Sequence, residues 1–203
     1  MVQSLHYFPC INAFVVMIQQ PTLLFDLSLP FKRSTFRNRT IIAGATGPIT
    51  LSIPILGGRS IKLPYKEVEI DYNNNWQRDH FRTLCTAYGN SPFFMFYKDE
   101  LEKIFEQKPK YLYQWNLLCL EWILKKNKIE VPIGIEEKQH FIAKNIDQFT
   151  EFLPQNYSSI SKDLILKYYQ VFEDKTGFLP NLSVLDLMFN QGPHSKQLLF
   201  NID

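Results

Sequence analysis

Apolar positions along the chain follow two rhythms, and the change between them falls near residue 75. Before it, short apolar runs are cut by proline and glycine; beyond it, apolar residues recur at steps of three and four, as one face of a helix requires. Residues 4–8 are predicted as a short strand stopped by Pro9, and Pro9 suits the first turn of a helix over 10–19, apolar around most of its circumference. Pro21 ends that helix, and TLLFDL (22–27) reads as a buried strand. Strand, helix and strand in under thirty residues predict a βαβ-like opening with a parallel pair. Segments 39–43 and 49–55 flank ATGP, a hairpin signal with Gly47 in the turn. EVEIDY (67–72) alternates polar and apolar residues, as a half-exposed strand does.

The second rhythm predicts a helix over 76–88, with Asn75 as its cap and Gly89 in a left-handed terminal position. Ser91-Pro92 opens another helix, 93–105, and Leu112, Trp115, Cys119 and Trp122 mark a third, largely buried one. Near the end, Ser183 and Asp186 have capping-box spacing; Leu182, Leu185 and Phe189 follow helical steps, closed by Gly192-Pro193. Residues 127–162 show no rhythm that orders them. No repeat, low-complexity tract or linker divides the chain, so the expectation is one α+β domain over 1–203: a mixed sheet with a βαβ-like opening and a hairpin, followed by several helices.

Charge sharpens this picture. The net charge of +2 hides an uneven split, because residues 1–66 carry seven Lys/Arg against one acid and the remainder fifteen against nineteen. No acid occurs between Asp26 and Glu67, and FKRSTFRNRT places Lys32, Arg33, Arg37 and Arg39 within ten residues. The near-neutral total argues against a general nucleic-acid binder, which needs a domain-wide basic field. Cys10, Cys85 and Cys119 are widely spaced with no CxxC, so reduced thiols in a cytoplasmic protein are expected, without disulfides. The apolar run 11–18 has no basic residue before it and is too short to span a bilayer, so no membrane insertion is expected.

Several residue patterns carry chemistry. If residues 36–41 are extended, Arg37 and Arg39 share one face, about 7 Å apart, and could fork onto a phosphate, diphosphate or carboxylate, with Lys32 adding positive field. The alternative is a solvated loop whose arginines pair with acids on later helices. His80 lies at the edge of an apolar helical arc, where a histidine can act as acid or base, or can sit in the core bonded to a carbonyl. Cys10, in the first turn of a helix with His6 four residues before it, fits a nucleophile pair weakly. No GxSxG, Walker A, dinucleotide glycine pattern or HExxH occurs, and His6, His80, His140 and His194 are too scattered to predict a metal. No cofactor is predicted.

Read in order, three segments resemble the WbqC-like family of bacterial proteins. The first is Tyr7-Phe8-Pro9 with Asn12-Ala13-Phe14. The second is FKRSTFRNRTIIAGATGPITLSIPI, continued by EVEID and by Trp76, His80, Tyr88 and SPFF. The third is YQVF with GFLPNLSVLDLMFNQGP. The resemblance spans the chain except roughly residues 127–165. Many members open with His-Gln-Pro; here Gln3 stands at the histidine's place. The resemblance implies a role in O-antigen and other surface-polysaccharide pathways, as a transferase taking a small anionic substrate such as a nucleotide sugar or an acyl donor. The predicted site has His80 and Asp186 as catalytic residues and Lys32, Arg37, Asn38, Arg39, Trp76, Tyr88 and Asn190 as substrate-binding; the resemblance adds weight to the Arg37/Arg39 segment. The capping-box spacing offers Asp186 a structural role instead, as the reciprocal partner of Ser183. A non-catalytic binding or assembly protein of the same pathway is the alternative function. In the sharpest form of the enzymatic reading, His80 faces the arginines as a general base kept neutral by their charge.

Overall fold

The computed structural model describes residues 2–57, 63–136, 154–159 and 165–201. It is a mixed α+β fold. Strand β1 (Val2–Gln3), helix α1 (Ile11–Ile18) and strand β2 (Leu23–Asp26) form the predicted parallel βαβ unit, with Val2 opposite Leu24 and Gln3 opposite Phe25. The strand expected at 4–8 does not form: β1 lies one step earlier, at 2–3, and the chain leaves the sheet at Ser4. From there its buried backbone groups bond to two other segments: Tyr7 N donates to Phe36 O, Val184 N to Pro9 O, and Ile11 N to Leu182 O. Phe8 takes a left-handed backbone (φ 42°) at this crossing, and its carbonyl accepts from both Thr40 Oγ1 and Ser183 Oγ. Helix α1 is buried on nearly every side, which accounts for its all-round apolar sequence.

The hairpin forms as predicted. β3 (Arg39–Gly44) pairs antiparallel with β4 (Gly47–Ser52), and Gly47 adopts the positive φ (133°) its turn demands. Segment 67–72 is not a sheet strand. It begins in a 3₁₀ turn (Tyr65–Glu67) and then divides its bonds, since Leu56 N and Asp71 N link it to one neighbour while Ile70 N and Leu112 N link it to another. Single bridges on two sides replace a ladder.

Helices α2 (Trp76–Tyr88), α3 (Phe94–Phe105) and α4 (Leu112–Lys126) match the periodicity closely. Their ends differ from expectation. Asn75 makes no side-chain cap bond, Gly89 is right-handed (φ −54°), and Ser91 Oγ donates back to Tyr88 O. Strand β5 (Ile133–Glu136) joins β2 in parallel on the side away from β1. Its Gly134 disguised it in the sequence; a Cβ there would lie 2.7 Å from Leu24 Cδ2, so any other residue would require that leucine to shift.

Short helix α5 (Glu173–Thr176) precedes α6 (Val184–Gln191), which is buried over almost its whole length, and α7 (Ser195–Phe200) follows. The buried apolar side chains form one cluster. No described helix is long and apolar enough to cross a membrane.

Gly192 ends α6 at φ 53°, and a Cβ there would meet the Phe93 ring at 2.4 Å. Gly192→Ala therefore combines backbone strain with overpacking and should cost about 1–3 kcal/mol, read as a lower urea midpoint with an unchanged slope. A midpoint equal to wild type would show that the α6–α3 contact yields freely.

Candidate functional site

The basic segment is a turn before it is a strand. Asn38 N and Arg39 N both donate to Thr35 O, and Ser34 is left-handed (φ 61°). The Asn38 side chain accepts from Ser34 N at 3.1 Å and donates to Ile53 O at 3.4 Å. Asn38 is thus a buried brace, not a ligand-facing group. Strand alternation starts only at Arg39, so the predicted fork of two guanidiniums on one extended face does not form.

Arg37 instead reaches the carboxyl end of the parallel sheet. Its Nε donates to Ser4 Oγ at 3.0 Å, its Nη1 donates to Pro30 O at 2.9 Å, and its guanidinium lies 5.2 Å from the centre of the Tyr65 ring. Below it, Asn116 Nδ2 ties Tyr65 Oη to the Arg37 carbonyl, both at 2.6 Å, and Tyr65 Oη donates to Leu5 O. Burial lowers the Arg37 pKa, and the nearby Tyr65 and Asp26 pull it back up. Lys32 is exposed, Arg33 donates to Ile55 O, and Arg39 is half-buried with an enclosed Nε that has no hydrogen-bond partner. None of these four cations forms an ion pair with a described acid; the pairs present lie elsewhere, at Arg78–Asp79, Lys110–Glu69 and Lys126–Glu100. Among the described residues, then, the arginines do not pair with acids on later helices.

His80 does not stand at this mouth. Its ring is buried between Trp76 and Tyr7, with Tyr7 Oη 2.9 Å from Nδ1. Burial holds its pKa down at about 4, against the Asp79 charge and a hydrogen bond to the Ser52 backbone. Ile53 N bonds to Asn38 O across the hairpin, so the neighbouring Ser52 turns its carbonyl to the outer edge of β4, where the histidine takes it up. Its Nδ1 is engaged by Tyr7, and no arginine contributes to its neutrality. The histidine that does feel Arg37 is His6, buried beside Phe36, with a pKa held at about 3 by burial and by the guanidinium. Trp76 packs edge-on against Trp115 inside the core.

Asp186 is fully buried and is not the reciprocal cap of Ser183, whose backbone N–H donates to Ile41 O and whose Oγ accepts from Leu185 N. The carboxylate accepts from Tyr88 Oη at 2.8 Å, Tyr168 Oη at 2.5 Å and Gln170 Nε2 at 3.2 Å. Ala43 N donates to the same Tyr88 hydroxyl, so the group joins β3, α2, α6 and segment 165–170. Burial raises the Asp186 pKa to about 6, although the three donors oppose the shift. Asn190 Nδ2 donates to Asp186 O one turn back. Tyr88, Asp186 and Asn190 therefore form an internal tie. Cys10 is enclosed as well, its thiol pushed up to about 12 by burial, which removes the nucleophile reading. His140 lies outside the described residues.

An open cleft of about 290 Å³ between α2 and α3, lined by Tyr72, Gln77, Arg78, Phe81 and Glu102 among others, includes none of the predicted residues. The assembly at the sheet end brings in Ser4, His6, Asp26, Tyr65 and Asn116; of these only His6 is a candidate from the sequence, and then as a partner of Cys10. Asp26 was the legible one: it ends the second strand of a βαβ unit, and in open parallel sheets ligands collect at carboxyl ends. No group of described His, Cys, Asp or Glu residues could hold a metal ion.

A family model described as the WbqC-like protein family matches residues 3–155. No curated protein and no solved structure matches the chain.

The buried titratable groups set a pH signature. His80 and His6 have depressed pKa values, so their contribution to stability is full above their ordinary 6.5 and is lost as pH falls through about 4 and about 3. Asp186 has a raised value, so its contribution is full below 3.8 and is lost as pH rises through about 6. Asp186→Asn removes the opposing slope. Urea titrations between pH 4 and 6.5 should then show a steeper loss of stability on acidification than in wild type, and equal slopes would overturn this assignment.

Proposed function

Since the chain belongs to the WbqC-like protein family, we propose that it is a cytoplasmic transferase of bacterial surface-polysaccharide biosynthesis. It acts on a sugar precursor and holds the anionic group of a nucleotide-sugar or acyl donor with Lys32, Arg37 and Arg39. Asn38 positions the turn that carries the two arginines. The observation that supports this reading is the absence of any ion pair to Lys32, Arg33, Arg37 or Arg39 among the described residues. A half-buried guanidinium without a counter-charge is unfavourable, and an incoming phosphate or carboxylate supplies the missing charge through forked bonds.

A second reading is a non-catalytic binder of the same ligand. The enclosure of both predicted catalytic groups, His80 and Asp186, favours it. Turnover of a bound donor separates the two.

Binding comes first. A thermal-shift screen with nucleotide sugars and acyl-CoA should raise stability by about 2.7 kcal/mol for a ligand at a hundred times its dissociation constant. Arg39→Gln should weaken that ligand at least tenfold while stability stays within about 0.5 kcal/mol, because the guanidinium has no partner among the described residues to lose. Absence of any shift across the screen would overturn the anion-site reading.

A further inference from the structure

One step beyond the paired residues Gln3 and Phe25, the ends of β1 and β2 place Ser4 beside Asp26. Ser4 Oγ holds Arg37 Nε at the end of β1, and Asp26 at the end of β2 is near enough to raise the guanidinium's pKa. Asp26 is buried, and its Oδ1 accepts from Ser28 N at 2.8 Å and Ser28 Oγ at 2.6 Å. Its Oδ2 accepts from no donor among the described residues. Arg37, with five N–H groups, spends one on Ser4 and one on Pro30, which leaves three. The two opposite charges are neighbours, yet they do not close to within 4.0 Å.

We propose that Asp26 and Arg37 form a hydroxyl-reading subsite for a phosphorylated sugar ring, in which Asp26 accepts from ring hydroxyls and Arg37 donates to the same ligand. The inference rests on the anion-site reading above and specifies the chemistry beside the anion. The pairing of charges selects the ligand group. Between the two side chains an ammonium would suit Asp26 but be repelled by Arg37, and an anion would suit Arg37 but be repelled by Asp26, so the ligand's phosphate meets Arg37 on its side away from Asp26. A hydroxyl donates to the first and accepts from the second. Ser4 adds a further donor, since its oxygen accepts from Arg37 while its own proton is free to turn outward.

Calorimetric titration with inorganic phosphate and with the 1-phosphates of glucose, galactose and N-acetylglucosamine tests the subsite. At least one sugar phosphate should bind wild type about ten- to a hundredfold more tightly than inorganic phosphate, the margin of a hydrogen bond to a charged group. Asp26→Asn should erase that margin and leave phosphate affinity unchanged or improved. Asparagine keeps an oxygen for Ser28, so the local turn survives, and Ser28→Ala, which leaves the carboxylate in place, should retain the margin. If phosphate binds but no sugar adds affinity, or if the margin survives Asp26→Asn, the hydroxyl subsite is wrong and the anion site stands. If neither phosphate nor any sugar phosphate binds, both readings fail together.

Discussion

Every buried backbone N–H and C=O must find a partner, and at residues 7–11 that requirement organises the protein. The chain leaves the sheet at Ser4 and runs through the interior, where no ladder can serve it. Its polar groups are met instead by Phe36, Thr40, Leu182, Ser183 and Val184, drawn from the hairpin side and from the entry to α6. Ser183 completes the lock by donating its own N–H to Ile41 O. Three stretches distant in sequence are thus fixed to one another by main-chain hydrogen bonds. The left-handed Phe8 is the local strain that this crossing requires, on the order of 1–3 kcal/mol, and it is held by bonds to its carbonyl from both sides.

The same segment separates the two histidines that follow β1. Tyr7 turns its hydroxyl toward His80, while His6, one residue earlier, lies against Phe36 in the field of Arg37. One histidine thereby joins the packing at the hairpin edge, and the other lines the basic mouth. Charge is distributed by the same logic. Acids are absent from the sequence between Asp26 and Glu67, and Arg33 and Arg37 there meet carbonyls, a hydroxyl and an aromatic ring, with no ion pair to a described acid.

Long-period features were legible in the sequence. The βαβ opening, the hairpin around Gly47, and the helices at 76–88, 93–105 and 184–191 follow from apolar spacing and from glycine and proline punctuation, which act locally. Features decided by distant partners were not. Segment 67–72 alternates as a strand does, but its bonds are divided between two neighbours. Asp186 has the spacing of a capping box, yet two tyrosines and a glutamine claim its carboxylate. Arg37 and Arg39 are two residues apart, but the Asn38 turn sends Arg37 to a different sheet. His80 lies at the rim of a helical arc by angle alone, and only tertiary packing seals it behind Tyr7 and Trp76. Strand β5 was hidden because the glycine at its close approach to Leu24 makes it look irregular.

The main-chain lock between residues 8, 41 and 183 also fixes an order of events as the chain is synthesised. Contacts that span some 140 to 175 positions close late, because the entropy of so large a loop is lost before any bond is gained. Until α6 emerges, α1 lacks one of the surfaces that cover it, and the Tyr88 hydroxyl has no carboxylate to receive its proton. The stretch matched by the family model ends at residue 155, before any of these partners. A nascent chain stopped there would carry the whole basic segment and the complete hairpin, yet it would present an open apolar seam of the kind that recruits chaperones or a second unfinished chain.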